Sequence, residues 1–183
     1  MKIYRVLLAF ISVAAIGFNG CSTAPEDTDA QQITVSELST SIGYSWFRTE
    51  ANLYKDSVDM NTVKKIADAF NVNKQKMYVF VRPTCSCNGT QHVFPRTLEV
   101  LNLAGVPDSM IIVYSMSTSA TKHPMMNKFS IGGLPSFFIT KGESTVYVMQ
   151  TLNEKLYANS PNKTQIEAGT RKIEDMVLEG FSQ

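Results

Sequence analysis

The stretch Met77-Tyr78-Val79-Phe80-Val81-Arg82-Pro83-Thr84-Cys85-Ser86-Cys87-Asn88-Gly89-Thr90 decides how the rest of the chain is read. Met77 to Val81 is a continuous apolar run, rich in β-branched and aromatic residues, as a strand buried on both faces requires. Pro83 ends it, because the residue before a proline is held away from helical backbone and the proline has no N–H to offer a ladder. From about Asn88 to Ala104 the apolar spacing becomes helical. Phe94, Leu98 and Leu101 share one face, with Val93, Val100 and Ala104 beside them. Gly105 marks the C-terminal stop, with Pro107 beyond it. Pro95 lies inside this helix and predicts a kink. Cys85 and Cys87 therefore sit at the joint between a buried strand and a helix, and Asn88-Gly89 gives the backbone freedom for a tight entry into that helix.

Outward from this joint, Asp59 to Phe70 carries apolar residues at Met60, Val63, Ile66, Ala67 and Phe70, a helical pattern with Asn61 as the predicted cap. Met110 to Tyr114 reads as a second buried strand. His123 to Phe129 reads as a short helix with Pro124 in its first turn. Gly132-Gly133-Leu134-Pro135 is a turn, and Ser136–Ile139 with Thr145–Met149 form a hairpin around Lys141-Gly142. Thr164-Gln165-Ile166-Glu167 has a capping-box pattern and is predicted to start the last helix, with Ile166, Ile173, Met176 and Val177 facing the core. Glu174-Asp175 on that helix reads as solvated charge. Trp46, Phe47 and Tyr54 read as residues packing an N-terminal extension onto the domain. The order helix, strand, helix, strand, helix, strand, strand, helix is an α/β arrangement: a βαβ unit, then a hairpin and a covering helix.

The chain has 183 residues, of which 44% are hydrophobic. That suits one packed domain plus a targeting segment. A formal net charge of +1 gives no electrostatic basis for binding nucleic acid. The sequence contains no P-loop, dinucleotide-binding glycine pattern or paired-histidine metal motif. Residues 1–20 read as a signal peptide, with Lys2 and Arg5 ahead of an apolar run from Val6 to Phe18 that is short for a membrane span. The run ends in Phe18-Asn19-Gly20-Cys21, which resembles a lipobox. Gly20 and Cys21 fit, whereas Phe18 and Asn19 depart from the usual pattern. Cys21 is the expected lipidation site, and the reading without lipid is an ordinary secretory signal or anchor helix. Residues 21–35 have the polar composition of a tether, and the folded domain is expected over 36–183. With Cys21 lipidated, two of the three cysteines remain. An exported protein meets an oxidising compartment in which Cys85 and Cys87 can pair.

On these residues the chain resembles the thioredoxin superfamily over about Val58 to Phe181. The resemblance rests on cysteines between a buried strand and a helix, on Pro95 eight positions after Cys87, and on Leu134-Pro135 ahead of the strand Ser136-Phe137-Phe138-Ile139. Tyr44-Ser45-Trp46-Phe47 and Phe94-Pro95-Arg96 also look like a group of exported thioredoxin-like proteins of Bacteroidota. The resemblance implies a thioredoxin-like α/β fold, with a central mixed sheet, flanking helices and an N-terminal extension. It also implies a cis-proline at Pro135 and a substrate segment pairing with the backbone of Leu134. The departures are specific. Cys87 falls at the family's first-cysteine position, Ser86 replaces its tryptophan, Thr90 takes the second-cysteine position, and Val81 stands where the family has a buried acid.

The chemistry expected of the pair follows from thiolate character. Cys87, at a helix N-terminus whose unpaired N–H groups favour negative charge, is predicted to be the more acidic thiol and the nucleophile, with Arg82 adding to the effect if it faces the site. Cys85 would then resolve. A disulfide across one residue needs a turn at Ser86, and strain in so small a ring favours an oxidant or isomerase over a reductant. The expected activity is thiol–disulfide exchange in the cell envelope, acting on protein thiols or disulfides or with a membrane redox partner, with no cofactor beyond the thiols. Two alternatives stand beside it. One is copper(I) binding, with Cys85 and Cys87 joined by His92, His123, Met116, Met125 or Met126. The other is a non-catalytic domain that binds a partner.

Overall fold

The computed structural model describes residues 29–183. Its elements are β1 (Gln31–Ile33), α1 (Val35–Thr40), α2 (Ser45–Lys55), α3 (Met60–Asn73), β2 (Lys76–Val81), α4 (Phe94–Leu103), β3 (Ile111–Ser115), β4 (Ser136–Lys141), β5 (Ser144–Leu152), β6 (Lys155–Asn159), β7 (Ile166–Glu167) and α5 (Ile173–Phe181). A π-helical turn, Gly89–Val93, leads into α4. The strands form one mixed sheet in the order β1-β3-β2-β4-β5-β6-β7. Only β2 and β3 run parallel, with Val79 opposite Val113, and α4 makes the crossover between them. Every other neighbouring pair is antiparallel.

Side-chain alternation along the strands divides the interior into two layers. Met77, Val79 and Val81 of β2 point to a core shared with Val113, Phe137, Ile139 and the buried faces of all five helices, including Leu38, Phe47, Ile66, Leu101 and Met176. Phe80, Tyr114, Phe138 and Val148 point the other way and are covered by Met116 and Phe129 from the segment between β3 and β4. The helices thus lie against one face of the sheet, and that irregular segment closes the other. Each fully buried large apolar side chain stabilises the fold by roughly 1.5–3 kcal/mol.

The expected α/β architecture is present, and several local readings are corrected. Asp59, not Asn61, caps α3; its carboxylate accepts from the Asn61 N–H at 2.9 Å and the Thr62 hydroxyl at 3.0 Å. His123–Phe129 is a run of turns, with Phe129 N–H donating to Met125 at 3.0 Å. So short a segment gains little helical cooperativity, and it is held instead by Phe129 entering the second core and by Ala30 N–H donating to the Lys122 carbonyl at 2.8 Å. Thr164–Glu167 starts no helix. Ile166 and Glu167 pair with β6, Ile166 is exposed, and α5 begins at Ile173. Ile173, Met176 and Val177 are buried as expected.

The fold also begins before residue 36. Gln31–Ile33 pairs with β3, and Thr34 and Glu37 form a capping box on α1. Gln31 and Gln32 are exposed on an edge strand, which is why their composition reads as tether. Residues 1–28, with the signal segment, Cys21 and most of the tether, lie outside the described residues. No described helix is long and apolar enough to cross a membrane.

Candidate active site

Because β2 and β3 are parallel, the loops leaving their C-terminal ends emerge at the same edge of the sheet. The loop after β2 carries the cysteines, and the loop after β3 carries Ser117, Thr118 and Ser119. After Val81 the chain turns at Pro83-Thr84, and Cys85 N–H donates to the Arg82 carbonyl at 3.0 Å. A second tight turn at Ser86 brings the Cα atoms of Cys85 and Cys87 to 5.2 Å and their sulfurs within bonding distance. Cys87 N–H donates to Cys85 Sγ at 3.2 Å. The helix begins immediately afterwards, with Gln91 N–H donating to the Cys87 carbonyl at 3.0 Å. Both cysteines are half-buried.

Pro95 shapes this helix start. It has no N–H, and its ring would crowd the carbonyl of Gln91 in a regular helix. The chain answers with the wider π turn, in which Phe94 N–H reaches back to Gly89, so the expected kink takes the form of a local expansion. Thr90, three residues after Cys87, is fully buried. Its hydroxyl lies 3.4 Å from Cys87 Sγ and donates to the Arg82 carbonyl at 3.3 Å. A hydroxyl at that place can turn its proton toward a thiolate on Cys87 when the disulfide opens.

The peptide bond between Leu134 and Pro135 is cis. Pro135 is buried directly beneath the start of the helix. A Cβ added to Gly89 would lie 2.6 Å from Pro135 Cδ and 2.9 Å from Thr151 Oγ1. Gly89 is therefore required by close approach, and not by the conformational freedom expected of it: its φ is not positive. Thr151 N–H in turn donates to the Pro135 carbonyl at 2.9 Å, tying the proline to β5. Leu134 faces the cysteines. It lines, together with Arg82, Cys85, Cys87, Ser117, Thr118 and Ser119, an open pocket of about 210 Å³. Arg82 thus shares the site, as the sequence reading allowed. The serine–threonine run was missed, and only the parallel pairing of the two strands before these loops signals it.

The other ligand candidates are not gathered here. His92 Nδ1 lies 3.0 Å from Glu50 Oε1 on α2. His123 packs on the Phe80 ring at 4.7 Å between centroids, and burial lowers its pKa. Met116 is buried, Met125 packs against the second core, and Met126 is exposed. No histidine or methionine lines the pocket at Cys85 and Cys87. Among the described residues no group of three or more His, Cys, Asp or Glu side chains comes together.

Behind the site a polar network joins the N-terminal helices to the rest. Arg96 Nε donates to Glu50 Oε1 at 2.6 Å, and its guanidinium lies over the Tyr54 ring at 5.3 Å. The Tyr54 hydroxyl donates to Glu174, which also accepts from Asp59 N–H at 3.3 Å. Glu174 is only 1% exposed, so the expectation of solvated charge at Glu174 is corrected: its carboxylate is a buried acceptor serving two elements. Phe47 packs on Phe94 at 5.4 Å, as expected of an extension that covers the helix carrying the site. Comparison of the chain with family models, curated proteins and solved structures finds no match.

Proposed function

We propose that this chain is a thioredoxin-like thiol–disulfide oxidoreductase of the cell envelope, with Cys87 as the exchanging sulfur and Cys85 as its resolving partner. The observation that supports it is that the two paired sulfurs stand at a helix start and share a pocket with Leu134, while Gly89 in the first turn of that helix packs on Pro135 with no room for even a methyl group between them. A disulfide serving only to staple the fold has no need of that juxtaposition.

In the oxidising direction, a substrate thiolate attacks Cys87 Sγ, the bond to Cys85 breaks, and Cys85 leaves as a thiolate that takes up a proton. A second substrate thiolate then attacks the substrate's sulfur in the mixed disulfide and releases Cys87 as a thiolate. The substrate's two thiols lose two electrons and two protons; the cysteine pair takes both electrons and one of the protons, on Cys85, and the other proton passes to solvent while Cys87 remains a thiolate. Released charge on Cys87 meets the helix N-terminus and the Thr90 hydroxyl. Leu134, on the same pocket, offers backbone beside the sulfurs for an extended substrate segment, in the manner of strand addition. The reading includes anchorage through lipid at Cys21, a polar segment leading to β1, and protein thiols or a membrane redox protein as partners. It rests on the n-region, apolar run and Gly20-Cys21 of the sequence.

The test is a trap. Reduced full-length Cys85→Ser protein, mixed with a peptide disulfide, is expected to accumulate a mixed disulfide on Cys87. Reduced Cys87→Ser is expected to accumulate far less. Equal labelling of both variants, or a Cys87 no more reactive than free cysteine at neutral pH, would overturn the assignment.

A further inference from the structure

The pocket at the cysteines has a chemical character beyond its sulfurs. Arg82 is exposed on its wall, and among the described residues no carboxylate lies within ion-pairing distance of its guanidinium. The remaining lining consists of the three hydroxyl residues Ser117, Thr118 and Ser119, and Leu134. No acidic residue lines it. The adjoining pocket, which shares Ser117, does contain one, Asp29. A cation beside hydroxyl donors at the point of sulfur attack favours an anionic group close to the incoming sulfur, and a volume of about 210 Å³ admits a side chain, not a whole folded surface.

We propose that the site selects extended protein segments in which an acidic residue adjoins the reacting cysteine, with Arg82 as the residue that reads the charge. This deepens the redox reading and rests on it. The substrate segment lies against Leu134, its thiolate reaches Cys87 Sγ, and its neighbouring carboxylate reaches Arg82. The contact is exposed, so its contribution is modest and screened by salt.

Single-turnover kinetics on the full-length oxidised chain tests this, using otherwise identical peptides with Glu, Gln or Lys beside one reduced cysteine. Because an acidic neighbour changes the intrinsic reactivity of the peptide thiol, each rate is divided by that of the same peptide with bis(2-hydroxyethyl) disulfide. The normalised rate for Glu is expected to exceed that for Lys by about threefold to fivefold at low salt, and to approach it at 1 M salt, where the screening length is roughly 3 Å. Arg82→Gln is expected to abolish the difference, and Arg82→Lys to keep part of it. A preference that is absent, or that survives in Arg82→Gln, overturns the selection while leaving the redox reading intact. Failure of every peptide to form a mixed disulfide overturns the redox reading and this inference with it.

Discussion

Thr90 is the residue at which this site differs most in kind from a pair of thiols flanking two intervening residues. Its hydroxyl occupies a fully buried position within reach of both Cys87 Sγ and the Arg82 carbonyl. It therefore holds the loop to the helix in the oxidised state and becomes a donor to the thiolate in the reduced state. Thr90→Val keeps the shape and removes both roles. The variant is expected to lose about 1 kcal/mol of stability, a small change because Cys85 N–H also bonds the Arg82 carbonyl. Its Cys87 alkylation rate, measured against pH in the Cys85→Ser background, is expected to move toward that of an ordinary thiol. An unchanged pH–rate profile would show that the hydroxyl is structural only. Arg82 complements it from the solvent side, as a charge that acts on the partner and not on the fold.

Among the elements, the helix carrying the site is fixed from behind by α2. Glu50 is the hinge of that contact: burial raises its pKa, and the neighbouring His92 and Arg96 outweigh that, leaving the carboxyl below its ordinary range. A group whose folded pKa is depressed stabilises the fold above its unfolded value and loses that contribution as pH falls through the folded value. Glu50→Gln is accordingly expected to cost about 1–3 kcal/mol at neutral pH, the scale for hydrogen bonds to charged groups. The gap from the wild type should narrow in denaturation measured below roughly pH 4. A gap that widens on acidification would contradict the ion-pair account.

The elements also show what the sequence could and could not carry. Continuous apolar runs at Met77–Val81 and Met110–Tyr114 announce buried strands, and Gly105, in left-handed backbone with φ +69°, is the helix stop its position suggested. The edge strands Gln31–Ile33 and Ile166–Glu167 were illegible, because residues on a sheet edge face water and carry the composition of a linker. Thr164–Glu167 shows the converse: a capping pattern yields no helix where a neighbouring strand offers better partners for its backbone. Glu174 could not be read as buried from its own position, since its acceptor role depends on Tyr54 and Asp59, both more than a hundred residues away.

At the scale of the molecule, one face of the sheet carries the described α-helices and the other is closed by a loop. Both the cysteine loop and the serine–threonine loop emerge at a single edge, where the sheet changes from its parallel pair to its antiparallel half. Leu134 and Pro135 enter β4 at that same place. The sequence carried the two cysteines and the proline as separate signals. Only the topology brings them together, and it adds Arg82 and the hydroxyl loop to one small pocket, with Thr90 buried within reach of Cys87 Sγ. A site assembled in this way is either a working redox centre or an inert clasp, and the two differ in how readily the disulfide is reduced. Equilibrating the full chain in graded glutathione buffers and counting free thiols by alkylation and mass spectrometry separates them. The account predicts that Cys85 and Cys87 change together as a two-electron couple, with a midpoint less negative than roughly −270 mV. A disulfide that resists reduction to below about −300 mV, the range of structural disulfides, would contradict it.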